Sequence, residues 1–446
     1  MANNAIVNMF KVKDLRNKLL FTLLILAIYR LGCILTIPGI NASLLVEYFE
    51  SLAQGAAEGA FASYMDFFAG GAFEKFSVFM LGVMPYISTQ IIMQLALIIF
   101  PSLKRAVQEE GGQQKFNSWT RIGSIIVCII QSLAITYYAD SINAQKPGVI
   151  AIQNPFYFKA VAMLTVTTGS MITIWLGDQI TAHGIGNGIS MLIFAGIVAR
   201  LPSAINELIK KIQSGDLNPV AVLVVLILFI AVVVLVVIEQ RGERKIPVHY
   251  AKRVVGRKMY GGQNTYIPFK INPSGVIPII FASSFLTFPL QIANSFAGSA
   301  TWLMKLTAVL NPLGWVYNVI LALLIIFFAY FYTQVTLNPT EIAKNIRENG
   351  GSIPGIRTDK TEEYLQRVLN RLILPGSLYL AALAILPTVI VNVFHFPQSI
   401  ATLMGGTSLM IMVGVDIDTM AQVEALLKMH YQDGLTSKGR IHSRSL

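Results

Sequence analysis

The chain has 446 residues, 54% of them hydrophobic and 13% charged, with a mean hydropathy of +0.62. Soluble proteins carry roughly 25% charged residues, so this composition excludes a soluble globular protein and points to a polytopic α-helical membrane protein. Two cysteines, Cys33 and Cys128, both inside apolar runs, exclude a disulfide-stapled secreted chain and read as inert buried thiols. The net charge is +11; in a membrane protein its placement matters more than its size.

Ten stretches read as spans: 19–37, 74–97, 120–139, 156–177, 186–205, 218–238, 272–296, 313–335, 371–394 and 405–427. The clearest core is Val220 to Ile238, an unbroken run of Ala, Val, Leu, Ile and Phe. At about 1.5 Å per residue such a run matches a hydrocarbon core of about 30 Å. The first span holds Arg30 and is followed by no small-residue cleavage site, so it is expected to be retained rather than cleaved as a signal peptide. Arg30 also spoils the lipoprotein-like Leu31-Gly32-Cys33.

The first connection, 38–73, has no Lys or Arg. Its second half, Phe61 to Phe73, is apolar but short, and contains Tyr64, Asp66, Phe67 and the pair Gly70-Gly71. An interfacial helix and a re-entrant segment both fit it; the second is allowed at membrane depth only where it packs on protein or lines a cavity. Span two carries Gly82-Val-Met-Pro85 and span seven Gly275-Val-Ile-Pro278. Each is the second span of a five-span half, and the halves run in opposite directions. Simple proline kinks or an inverted repeat with a pathway at its axis would give this echo.

With the N-terminus inside, 26 Lys and Arg fall on inside segments and 6 outside, leaving Arg30 and Lys75 unassigned within spans. The expected orientation therefore places both termini in the cytoplasm. The regions divide into an N-terminus (1–18), a first half (19–205), a second half (206–427) and a tail (428–446). Two inside loops, 239–271 and 336–371, are long and basic. Positive-inside topology with lipid headgroup contact explains part of this. Docking of a large anionic partner such as ribosomal RNA explains the rest, because connections are usually far shorter.

Intramembrane charge is sparse, with Arg30, Asp416 and Asp418 the main cases, which argues against an ion-coupled transporter. The sequence has no GxxxxGK[ST] motif, no catalytic Ser/His/Asp or Cys/His set, and five scattered histidines. No enzyme activity, metal or cofactor is expected. A small-solute transporter and a pore-less insertase remain as alternatives at this point.

Further motifs narrow the choice. Met84-Pro-Tyr-Ile-Ser88, Gly184-Ile-Gly-Asn-Gly-Ile-Ser190, Phe194-Ala-Gly-Ile-Val198, Phe281-Ala-Ser-Ser284, Asn338-Pro339, Pro354-Gly-Ile-Arg357 and Gly405-Gly-Thr-Ser-Leu409 lie along nearly the whole chain. With the two Gly-Val-X-Pro motifs, they make the chain resemble the SecY family, the channel subunits of bacterial Sec translocons. The resemblance implies ten transmembrane helices in two pseudo-symmetric inverted five-helix halves around a central pore, closed by a short plug helix at about 61–73. It implies passage of unfolded secretory polypeptides and sideways release of hydrophobic segments into the bilayer. The family's pore ring matches Val83, Ile87, Ile193, Ile280 and Ile411, with Val83 in place of the usual isoleucine. The lateral gate is expected to use Thr89, Gln90, Gln94, Gln131 and Asn272. Arg357 matches an arginine needed with the motor ATPase SecA, Arg257 and Lys258 match a ribosome-facing basic pair, and Tyr431 aligns loosely with a SecA-contact tyrosine. Implied partners are SecE, SecG, SecA, ribosomes and nascent chains, in a bacterial inner membrane.

Overall fold

The computed structural model describes residues 12–52, 66, 69–152, 154–215, 217–250, 253–255, 258–260, 264–295, 307 and 309–436. The main helices are α1 (Lys13–Gly32), α2 (Ala42–Leu52), α3 (Met84–Ile99), α4 (Pro101–Gln108), α5 (Gly112–Gln145), α6 (Pro155–His183), α7 (Gly188–Gln213) and α8 (Pro219–Arg241). Strands β1 (Glu243–Tyr250), β2 (Arg253–Val255), β3 (Lys258–Tyr260) and β4 (Asn264–Lys270) follow. Then come α9 (Ile277–Ser295), α10 (Trp315–Thr336), α11 (Pro339–Glu348), β5 (Gly351–Ser352), α12 (Thr361–Phe394), α13 (Gln398–Leu403) and α14 (Gly406–Thr436). The chain divides into two compact units, 1–205 with 291–301 and 411–446, and 206–290 with 302–410.

Local sequence sets many helix starts. Asn-Pro recurs before α6, α8 and α11: the Asn154, Asn218 and Asn338 carboxamides accept from the first free N–H groups, those of Phe156, Val220 and Thr340. The proline sits at the first helical position, where its missing N–H is harmless. Between α3 and α4 the axis turns by 110°. Phe100 there is extended (φ −111°, ψ 96°), because Pro101 disfavours the helical conformation for the residue before it.

Among the described residues, seven helices are long and apolar enough to cross a membrane, or eight if α3 and the bent segment after it form one span. Each of the ten expected stretches contains a helix, but α1 carries Arg16, Lys18 and Arg30, and the apolar part of α9 is only Ile277–Thr287. Boundaries also differ. The second span begins at Met84 rather than 74, after a run of turns from 73 to 83. On α8 the buried positions Val225, Val232 and Val236 form one narrow stripe, leaving the rest to lipid.

A small sheet is the feature that hydropathy did not announce. β4, β1 and β5 pair antiparallel in that order, with Ile246 opposite Ile267 and Val248 opposite Thr265. Along β1 the side chains alternate, Ile246 and Val248 inward, Lys245, Pro247 and His249 outward, as the strand period requires. The inward pair joins a core with Phe269, Ala329, Ile346, Ile353, Leu365 and Leu369. Because β1 and β4 come from the first basic loop and β5 from the second, the two loops form one folded platform on the ends of α10, α11 and α12.

The first unit packs backbone against backbone. A Cβ at Gly169 on α6 would overlap the carbonyl oxygen of Val78, and one at Gly188 that of Gly177. Small residues permit such close approach in membrane proteins. Gly169→Ala is expected to destabilise the folded protein by about 1–3 kcal/mol, since the nearest atoms belong to the Val78 backbone carbonyl, which cannot turn away as a side chain could. Gly414→Ala, where an added methyl meets nothing within 4 Å, should leave stability unchanged or raised. Thermal unfolding of the detergent-solubilised protein checks both.

Candidate functional site

The Gly-Val-X-Pro motifs have the same local structure in both halves. Gly82 has φ +52° and Gly275 φ +60°, a region that glycine enters without strain. The helix starts two residues later in each case, at Met84 and at Ile277. Pro85 and Pro278 therefore open α3 and α9 instead of interrupting them, which corrects the expectation of proline-broken helices. Ile87 and Ile280 each stand five residues after the glycine, one turn into the helix.

Four of the five ring candidates belong to the first unit. Val83 is the residue from which α3 starts (φ −95°, ψ 0°), Ile87 follows one turn on, Ile193 lies on α7 and Ile411 on α14. All four are buried, at 3–5% exposure. Ile280, in the second unit, is half-buried. The helices carrying Ile193 and Ile411 are tied together at the Gly-rich turn before α7. There the Gly186 N–H donates to Gln422 Oε1 of α14 at 2.8 Å, the Ile185 N–H donates to Thr22 Oγ1 of α1 at 3.1 Å, and Asn187 caps α7 through the Ile189 N–H. The turn thus opens the fifth span with a tight backbone, as its glycines suggest.

The gate candidates have distinct roles. Thr89 is buried, donates to the Pro85 carbonyl at 2.8 Å, and its methyl lies where a Cβ on Gly123 of α5 would fall. Gln90 and Gln94 are half-buried on α3. The carbonyl oxygens of Gln94 and Gln131 have no hydrogen-bond partner among the described residues. Asn272, in the second unit, organises the turn into α9: its Oδ1 accepts from Ser274 Oγ (2.7 Å) and the Gly275 N–H (3.1 Å), and its Nδ2 donates to the Gly275 carbonyl. Glu239, missed in the sequence because Glu-Gln-Arg at the end of an apolar run reads as a solvated terminus, is buried. Its carboxylate lies beside the Asn272 and Gln240 amides without a well-formed hydrogen bond.

Of the plug candidates, Phe61, Tyr64 and Phe67 lie outside the described residues. Asp66 is fully buried. Its Oδ1 accepts from the Phe73 and Glu74 N–H groups at 2.9 and 3.1 Å, and its Oδ2 pairs with Arg200 Nη1 at 2.9 Å. Arg30 Nη1 donates to the Gly70 carbonyl at 2.6 Å. Gly70 and Gly71 both have positive φ. Sequence spacing could not pair Arg200 with Asp66 or Arg30 with Gly70, because they come from separate elements.

On the platform of the second unit, Ile353 is buried in the core while Arg357 is exposed, and the 3-10 turn after it is held by Arg347 Nη2 donating to the Thr358 carbonyl. Lys245 lies 4.7 Å from the centre of the Tyr266 ring. Arg257 lies outside the described residues, and Lys258 and Tyr431 are described only in their backbone.

The sequence model of the SecY family matches residues 77–420. The chain belongs to the SecY family. A protein translocase subunit SecY from Borreliella burgdorferi is 44% identical over 95% of both chains. Among solved structures, one concerning the SecY plug domain and the closed state of the translocation channel is 19% identical over 92% of each chain, with a TM-score of 0.60. Sec61 in a canine ribosome–channel complex matches over 92% of each chain at 18% identity, with a TM-score of 0.58. As a SecY family member the chain is a multi-pass membrane protein with the fold of these channels, not an enzyme.

The gate candidates yield a contrast. Burying an unpaired acceptor costs about 1–3 kcal/mol, so Gln131→Leu should raise the melting temperature of the solubilised protein. Asn272→Leu should lower it, because the Ser274 hydroxyl and Gly275 N–H lose their acceptor. If these positions form the gate, both variants shift the hydrophobicity that a segment needs for membrane insertion, measured with a graded series of Leu/Ala segments.

Proposed function

We propose that this chain is the channel through which unfolded secretory polypeptides cross the membrane and from which hydrophobic segments leave sideways into lipid. A SecY family member is a protein translocase subunit, a protein-conducting channel. The observation that carries the finer reading is the set of buried aliphatic side chains Val83, Ile87, Ile193 and Ile411 on α3, α7 and α14, with Ile280 at the matching position of α9.

A passing chain presents every kind of side chain in turn. A collar of aliphatic groups offers it no fixed hydrogen bonds and deforms around it. When empty, a narrow apolar constriction dewets and resists ion flow. The segment 61–73 would add a second barrier. The lateral route follows from partitioning, since about 20 apolar residues are more stable in a bilayer than in a water-filled passage. Thr89, Gln90, Gln94, Gln131 and Asn272 would weaken the closed seam, because apolar helix contacts gain little over contacts with lipid.

Partners follow from the same reading. The platform formed by β1, β4 and β5 presents Arg357 for SecA, and the basic pair Arg257 and Lys258 would meet ribosomal RNA by phosphate contacts. Tyr431 would add a SecA contact on the tail. SecE would brace the two halves and SecG would complete the complex. The drive would come from SecA's ATP, translation and the proton-motive force. The membrane is the bacterial inner membrane, with both termini cytoplasmic by the Lys/Arg distribution.

Site-specific photocrosslinking tests this. Probes at Ile87, Ile193, Ile280 and Ile411, in vesicles holding a stalled secretory chain, are expected to crosslink to that chain. A probe at Ile227, 59% exposed on α8, should not. Export continuing with no crosslink at any ring position would reject the ring.

A further inference from the structure

Asp66 and residues 69–74 are tied to each other and to two helices through a small set of charges. Asp66 is 0% exposed, and Arg200, on α7, has a side chain 13% exposed. One Asp66 oxygen takes two backbone N–H groups of its own segment while the other faces the Arg200 guanidinium. The second guanidinium nitrogen of Arg200 lies 3.6 Å from Glu74. On the other side Arg30 of α1 holds the Gly70 carbonyl. The contact between segment and α7 is backbone on backbone: a Cβ on Gly70 would lie 2.6 Å from the Gly196 Cα. The Asp66–Arg200 and Glu74–Arg200 pairs and the Gly70–Gly196 approach therefore all depend on this stretch being seated on α7.

We infer that the Asp66–Arg200 ion pair, with Arg30 on the Gly70 carbonyl, is a latch that positions the end of the plug segment on α7 and keeps the resting channel sealed. This rests on the reading of 61–73 as the plug. The pair joins a segment to a helix rather than two helices. The start of α7 is secured separately by Asn187 and by the Gly188 N–H on Thr181 Oγ1, so the latch can fail while the helices stay packed. Its energetics have a distinctive signature. Removing one partner of a buried ion pair leaves an uncompensated buried charge and is strongly unfavourable, whereas neutralising both is often nearly neutral. Asparagine at position 66 still accepts from the Phe73 and Glu74 N–H groups, and glutamine at position 200 can meet it as a neutral donor.

The test is the resting ion conductance of the full chain, purified with its translocon partner subunits and reconstituted into planar bilayers. Asp66→Asn and Arg200→Gln singly are each expected to raise the conductance roughly tenfold or more, and the double variant to return it to within about twofold of the parent. Arg200→Lys keeps the charge and should also seal, which guards against a folding defect at this position. Single variants that stay sealed, or a double variant that leaks as the two singles combined, would overturn the latch. Deletion of 61–73 in the same preparation separates the two readings. If the deletion leaks and the single variants do not, the latch is wrong and the plug stands. If the deletion does not leak, the plug reading fails and the latch with it.

Discussion

In lipid, every backbone N–H and C=O must find its partner within the protein, and the rest of this structure depends on that constraint. Helices meet it by themselves. The irregular stretches cannot, and they are where side chains and neighbouring strands of backbone intervene. The turns between 73 and 83 are held by the Ile37 N–H on the Phe76 carbonyl and the Val78 N–H on the Leu35 carbonyl, and by Asp66 accepting from Phe73 and Glu74. The turn before α9 is held by Asn272. Non-helical backbone beside a bilayer survives only with such local carriers, so Asp66 and Asn272, which serve through their side chains, are not free to vary in type.

The same constraint explains why the polar groups of the spans fall into two kinds. Most buried Ser and Thr hydroxyls bond back to a carbonyl three or four residues earlier, as Thr120, Ser124 and Thr173 do, and so ask nothing of their neighbours. The carbonyl oxygens of Gln94 and Gln131, the Glu239 carboxylate and the hydroxyls of Ser77, Ser170 and Tyr379 have no such partner among the described residues. Buried polar groups left in this condition work against stability; Gln94 and Gln131 are proposed gate positions, and Glu239 lies beside Asn272. A seam that must part is better served by groups with poor partners than by an apolar interface at its optimum.

The platform of the second unit obeys the rules of a soluble domain. Its strand alternates inward and outward side chains, and its core of Ile246, Val248, Phe269 and Ile353 is closed by helix ends. Arg244, Lys245, Lys270 and Arg357 are exposed on this folded base, so the spacing of the segments that carry them is fixed by the fold. The docking proposed for this face would therefore cost less ordering than docking on two flexible loops.

The sequence by itself determined the membrane class, the place of nearly every helix, and the family. These properties are local or additive: hydropathy over about 20 residues, Asn-Pro caps, Lys/Arg counts, and motifs written in chain order. Val83, Ile87, Ile193 and Ile411 could be named from motifs, but their burial on three separate helices could not. Tertiary structure alone decided that Arg200 meets Asp66 and Arg30 meets Gly70, that Gly186 reaches Gln422 of α14 across 236 residues, and that β5 joins β1 across a hundred residues. Hydropathy had also merged the turns at 73–83 into a span, since Phe, Val and Leu read as membrane whether or not glycine at φ +52° bends the chain there. Such contacts pair residues far apart in sequence, and no local pattern encodes which distant donor will satisfy which acceptor.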